Sequence, residues 1–171
     1  MSKRARGHAG MARIEAKTSS ARLAAIQALY EMDLSGAPAD PVLSDFMETR
    51  WQNLVAEQDG KSKSAVKLAK PDIAMMSEIV RGVSSRQAEL DNEIEPHLSD
   101  EHDWGRLEML LKAVLRAGAY EILMHSKTPA RVIISEYVDV AGAFFGGNEP
   151  GLVNKTLERL VQDIRPEEMR E

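Results

Sequence analysis

At 171 residues, with 43% hydrophobic content and a net charge of −5, the chain has enough apolar material for one domain or two small lobes sharing a core. It contains no Cys, which excludes a disulfide framework, a thiol nucleophile and a Cys-based metal site, and which fits a reducing cytoplasmic compartment. The charge is uneven: residues 1–22 carry Lys3, Arg4, Arg6, Arg13, Lys17 and Arg22 against Glu15 alone, a net of +5 that leaves −10 for the remainder. A basic end on an acidic body suits a protein that touches nucleic acid with that end; on charge alone a solvated tail is the more economical reading.

Met1–Lys17 has two glycines, small residues and no sustained apolar period, and reads as a flexible basic arm. No apolar run follows the basic start, so neither a signal peptide nor a membrane span is expected. Thr18, Ser19 and Ser20 are natural N-caps for a first helix over 21–34, with Leu23, Ile26 and Tyr30 inward and Ser35-Gly36 as its end. Arg22 sits in the first turn, where a cation is poorly placed for the helix dipole; this points to an external phosphate. Asp40-Pro41 reads as N-cap and first residue of a second helix reaching Gln58. Residues 59–70, DGKSKSAVKLAK, form a polar linker. Pro71-Asp72 opens a third helix that Gly82 and Ser84-Ser85 bend and Glu95-Pro96 stops.

After a short connection anchored by Trp104 comes the segment on which the bundle is organised, LEMLLKAVLRAGAYEILMH at 107–125. Leu107, Leu110, Leu111, Val114, Gly118 and Ile122 recur at helical steps, and the other faces are nearly as apolar. A helix apolar almost all round is buried on several sides. Gly118 costs roughly 1 kcal/mol relative to Ala in mid-helix, which predicts close approach of a neighbour. Thr128-Pro129 starts a helix to Phe145 with Ile133, Ile134, Tyr137, Ala141 and Phe144 inward. Gly146-Gly147-Asn148 is expected to end it through left-handed backbone angles. Glu149-Pro150 opens a last helix ending at Arg165-Pro166. No strand alternation and no internal repeat is visible; the fold class is all-α.

The chain carries no phosphate-cradling glycine loop, no HExxH and no GxSxG elbow. His8, His97, His102 and His125 are scattered, and the acidic turn around Glu95–Asp103 is most economically a solvated one. The residues point to binding, with no catalytic set, no cofactor and no metal.

Three ordered stretches carry a resemblance: ARLAAIQALYEMDLSG at 21–36, AVLRAGAYEI at 113–122 and TPARVIISEYVDVAGAFFGGNEPGLVNKTLERL at 128–160. Together they closely resemble the NusB family of bacterial antitermination factors over most of residues 18–165. The resemblance implies a bundle of about seven helices in two packed helical subdomains: an arm at 1–17, then one domain at 18–171 with lobes near 18–98 and 99–165. It also implies a factor that pairs with the small-subunit ribosomal protein NusE and binds the boxA element of ribosomal RNA leader transcripts. Such a factor joins RNA polymerase with other Nus factors and assists rRNA maturation; some members self-associate. Carried over position by position, the RNA-facing candidates are Lys17, Ser19, Arg22, Arg106, Lys112 and Arg116, with Arg13 contributing from the arm. Arg116 has a competing reading as an internal ion-pair partner between the lobes. The partner-facing candidates are Tyr120, Glu121, Phe144, Phe145, Asn148 and Glu149; Tyr120 and Phe144 also read as plain core. Thr18–Ser20 stand where other members carry arginines, and Lys155 stands in place of a usual glycine. The alternative function is a helical protein-interaction adaptor with little or no RNA binding.

Overall fold

The computed structural model describes residues 3–50 and 70–170, with side chains over 17–48 and 70–170. Among the described residues are seven α-helices and no strand, as the periodicity predicts: α1 (Lys3–Ser35), α2 (Ala39–Asp45), α3 (Ile73–Ser85), α4 (Gln87–Ile94), α5 (Met109–Met124), α6 (Ala130–Phe144) and α7 (Glu149–Ile164). A π-helical turn at Phe46–Arg50 and 3-10 turns at Glu95–His97, Trp104–Arg106 and Pro166–Met169 complete them. The outer part of the second predicted helix and nearly all of the 59–70 linker lie outside the described residues. The chain forms two compact units, Met1–Ser77 and Glu78–Glu171, with the boundary inside α3.

In the first unit, α1 begins at Lys3, far ahead of the expected start near Ala21. The backbone over the expected flexible arm is therefore helical, and Thr18–Ser20 lie inside the helix instead of capping it. The reason is legible afterwards: residues 3–17 are rich in Ala, Arg and Lys, strong helix formers that need no amphipathic stripe. The buried stripe of α1 is made of Ala21, Ala24, Ala25, Ile26, Ala28 and Leu29, while Leu23 and Tyr30 are only half-buried. Gly36 ends the helix as predicted, at φ 70°, its N–H donating to Met32 O at 2.8 Å. α2 packs on α1. Its N-cap is Pro38, and Asp40 falls in the first turn, where a carboxylate still favours the dipole. The start of α3 is tied to α1 by Asp72 N–H donating to Lys17 O at 3.2 Å. The Asp72 carboxylate accepts from Met75 N at 3.1 Å and so caps the helix that Pro71-Asp72 was expected to open.

The second unit is built around α5, which packs against α4, α6 and α7. Leu111 and all of Ala113–Ile122 are buried, so the nearly all-round apolar sequence has the burial it predicts. At Gly118 a Cβ would lie 2.8 Å from Leu157 Cδ1 and 3.4 Å from the Tyr137 ring, which confirms the close approach. The predicted bend after Gly82 is a break at Arg86 between α3 and α4. Gly82 itself is helical, and the Tyr120 ring lies on it: a Cβ there would stand 2.3 Å from Tyr120 Cε2 and Cζ. Gly82→Ala is therefore expected to lower stability by about 1–3 kcal/mol in denaturant unfolding, against the gain of about 1 kcal/mol that helix propensity alone predicts.

Two helix ends differ from expectation. α6 stops with Phe145 in an extended conformation, φ −121° and ψ 136°; among the described residues only Gly36 has positive φ, so no left-handed turn is used at 146–148. Thr128 does not cap α6; the Glu168 carboxylate does, accepting from Ala130 N at 2.7 Å. Arg165, read only as a stop, ties off the C-terminus of α5. Its guanidinium donates to Ile122 O at 2.5 Å, His125 O at 2.8 Å and Thr128 O at 2.9 Å. A cation thus satisfies carbonyls that the helix leaves without partners, at the negative end of its dipole.

Candidate nucleic-acid and partner interface

The structure separates the basic candidates into framework and surface. Arg116 is 7% exposed. Its guanidinium grips Asp91 of α4 through two hydrogen bonds, Nε to Oδ1 at 2.6 Å and the second nitrogen to Oδ2 at 2.9 Å. It also lies 5.4 Å from the Trp104 ring centroid, and Lys112 Nζ stands 5.5 Å from the same ring. The Lys112–Arg116 stripe, one helical turn apart, is thus what holds Trp104 in its anchoring position. Arg116 belongs to this framework, as its competing reading had it, although both members of the ion pair lie within the second unit. Arg22 is only 4% exposed, so the external-phosphate reading of its first-turn position gives way to a buried one. Lys17 is exposed and Ser19 half-buried. Arg106 is open, its side chain 89% exposed beside Asp103 at 3.7 Å, a pairing too solvated to contribute much. The side chain of Arg13 lies outside those described.

The partner candidates divide likewise. Phe144, Phe145 and Glu149 are half-buried and Asn148 is exposed, so the turn between α6 and α7 presents a surface. Gly147 N donates to the Glu149 carboxylate at 3.1 Å and stiffens that turn. Tyr120 and Glu121 are interior, contrary to their expected role as contacts. Glu121 has no exposed surface; its carboxylate accepts from the Tyr137 hydroxyl at 2.5 Å and meets His125 Nδ1 at 3.2 Å. His125 Nε2 meets Glu78 at 2.8 Å, and the Tyr120 hydroxyl donates to the same carboxylate oxygen at 3.2 Å. Sequence reasoning missed this chain of groups because its members, apart from the neighbours Tyr120-Glu121-His125, come from separate helices.

An imidazole between two carboxylates is best satisfied when both nitrogens donate, which is the charged form. The hydrogen bond to Glu121, with Glu78 adding to it and burial opposing, raises the His125 pKa from 6.5 to about 8. Burial foremost, then Glu78, raises that of Tyr120, which stays a donor at neutral pH. Because the folded His125 value lies above the unfolded one, its contribution is full below pH 6.5 and is lost as pH rises through about 8. Chemical unfolding at pH 6 and pH 9 is expected to show a loss of roughly 1 kcal/mol, allowing for solvent screening, and His125→Gln to remove most of that slope.

A cavity of about 780 Å³ opens in the second unit, between the connection at 99–102 and the start of α7. Lys155 and Arg159 line it from α7 together with Thr156, a hydroxyl residue only 3% exposed; Asp100, Glu101 and His102 line it from the connection. The sequence reads Asp100 and Glu101 as part of a solvated acidic turn and Lys155 as a departure from the family motif; it does not join them. The signal was present in Lys155, one turn before Arg159 on a helix that is otherwise amphipathic.

The structure thus defines a class, an all-helical bundle whose described residues hold no cluster able to bind a metal ion and no helix long and apolar enough to cross a membrane. The NusB family model matches residues 19–162. A transcription antitermination protein NusB of Rhodospirillum rubrum is 43% identical over 159 residues, covering 88% of this chain and 86% of the relative. One of Caulobacter vibrioides is 40% identical over 147 residues, covering 86% and 93%. Among solved structures, T. maritima NusB superposes with a TM-score of 0.66 at 21% identity, covering 90% of this chain and 96% of that one. The antitermination factors NusB and NusE in complex with dsRNA give a TM-score of 0.60 at 22% identity, covering 85% and 96%. This chain belongs to the NusB family of transcription antitermination proteins.

Proposed function

We propose that the chain binds the boxA element of ribosomal RNA leader transcripts as a heterodimer with the small-subunit ribosomal protein NusE. It acts in the cytoplasm, by binding and without catalysis. With other Nus factors it joins elongating RNA polymerase, promotes antitermination and assists rRNA maturation. The observation that carries this reading is the 43% identity to a transcription antitermination protein over nearly the whole chain. A solved relative bound to both NusE and RNA supports the choice of partners.

Within the family domain, taken as 18–171, the RNA-facing set is Ser19, Arg106 and Lys112, with the arm supplying Lys17, Arg13 and its neighbours. Lys3, Arg6, Arg13 and Lys17 recur at steps of three, seven and four, the spacing of one helical stripe. A stripe of cations suits a run of phosphates. The partner-facing set is Phe144, Phe145, Asn148 and Glu149, the turn that remains accessible. Arg22, Arg116, Tyr120 and Glu121 act beneath these surfaces. Free chains self-associate through a surface that the partner or RNA then claims, which light scattering of the isolated chain reads directly.

The test is transcription in a reconstituted system with the other Nus factors, on templates carrying boxA or a scrambled element ahead of a terminator. Adding the chain with NusE is expected to raise readthrough on the boxA template alone. Equal readthrough on both templates would rule the reading out.

A further inference from the structure

His125 follows the end of α5 with its ring between two carboxylates of unequal exposure. The Glu121 side chain has no exposed surface, whereas that of Glu78 is 49% exposed. Nδ1 faces Glu121 Oε1 at 3.2 Å and Nε2 faces Glu78 Oε1 at 2.8 Å. Polar and charged groups surround the ring. α3 supplies Glu78, and Arg86 just beyond it donates to the sulfur of Met124, next to His125, at 3.3 Å. α5 supplies Glu121 and Tyr120, whose ring meets the imidazole edge-on at 5.9 Å. α6 supplies the Tyr137 hydroxyl, which donates to Glu121. Past α7, Arg165 donates to His125 O and pairs with Glu168.

A charged imidazole donates to both carboxylates. A neutral one keeps a single N–H, and its other nitrogen becomes an acceptor. That nitrogen then faces a carboxylate oxygen, and two acceptors repel. Burial decides which carboxylate loses its donor. Glu121 is withdrawn from water, so depriving it of a donor leaves a desolvated charge under-satisfied; Glu78 can turn into solvent. The remaining proton therefore stays on Nδ1, and the break falls between Nε2 and Glu78. Glu78 Oε1 also accepts from the Tyr120 hydroxyl at 3.2 Å, and the Tyr120 ring lies on Gly82 of the same helix. Two donors of the α5 segment thus hold one oxygen of α3, and the shorter bond is the one the proton controls.

We propose that His125 is a proton-operated latch on α3: the charged ring clamps Glu78, and the neutral ring keeps its bond to Glu121 and lets Glu78, with the α3 turns that follow it, loosen. The hydrogen bond to Glu121, with Glu78 adding to it and burial opposing, sets the change near pH 8, so the latch is closed below that value and open above it. The inference does not depend on what the chain binds.

Two measurements on the full chain test it. In 15N NMR the neutral His125 ring, at pH 9.5, is expected to carry its proton on Nδ1, the reverse of the preference of free histidine. This needs no variant. Hydrogen exchange of residues 78–85, expressed as protection relative to the intrinsic rate at each pH, is expected to fall about tenfold between pH 6.5 and pH 9.5. His125→Gln is expected to show the lower protection already at pH 6.5. Glu78→Gln is expected to lose most of the pH response, because a carboxamide can donate to the neutral ring as well as accept from the charged one. Neither side chain is fully buried, so both variants are expected to fold, and a thermal melt verifies it. A neutral ring protonated on Nε2 would overturn the latch. So would equal α3 protection at the two pH values, or a pH response that survives Glu78→Gln.

Discussion

Replacing Asp91 by alanine is expected to lower stability by about 3 kcal/mol, a drop in Tm of roughly 6–12 °C for a chain of this length. The Asp91 and Arg116 side chains are 24% and 8% exposed, and two short parallel hydrogen bonds join them. Removing the carboxylate leaves a guanidinium in the interior without its bidentate partner, and the desolvation it has already undergone is no longer offset. The loss extends further, because Arg116 is one of the two cations on the Trp104 ring, and Trp104 fixes the connection into α5. Arg116→Lys is expected to recover only part of the stability, since an ammonium cannot form the planar fork. Arg106→Ala, at a solvated pair, is expected to change Tm by less than about 1 °C. Differential scanning calorimetry of the three variants separates framework arginine from surface arginine.

Deleting residues 2–16 is expected to weaken boxA binding about a hundredfold at low salt. The deletion removes Lys3, Arg4, Arg6 and Arg13 together with Glu15. Each phosphate contact on a single strand contributes about 0.7 to the slope of log K against log salt, so losing three or four contacts lowers the slope by about 2–3. Affinity is therefore expected to differ most between full-length and shortened chains at low salt and to converge as salt rises. Burial of Arg22 and Arg116 makes the arm more important, because two cations that would otherwise serve the transcript are committed to the interior. The deletion ends before Lys17, whose carbonyl holds the start of α3, so the fold of the remainder is left intact. Unchanged affinity and slope would remove the arm from the interface.

How much of this was legible in the sequence follows from the range of the interactions involved. The position and burial of α5, the close approach at Gly118 and the Gly36 stop are local signals, and each appears where the periodicity and turn chemistry place it. The extension of α1 to Lys3 leaves no apolar stripe in the sequence; residues 3–17 have helix propensity without one. The pairs that decide which candidates are available are distant in sequence. Asp91 lies 25 residues from Arg116, and Arg165 lies 40 or more from the carbonyls of Ile122 and His125 that it caps. Nothing in one sequence joins such positions. Tyr120 and Glu121 illustrate the consequence: their place in a family motif marked them as partner-facing, with Tyr120 also read as core, and both take part in a hydrogen-bond network that joins three helices. The cavity beside α7 was hidden similarly, its walls contributed by segments some fifty residues apart in sequence.

The most direct measurement is a titration of boxA RNA and a scrambled RNA of equal length into the chain, with and without NusE. The account predicts preference for boxA, strengthened by the partner, with a salt slope that reports several phosphate contacts. Formation of the heterodimer with equal, weak affinity for both RNAs would contradict it, and would make the protein a helical adaptor that uses only its protein-binding turn.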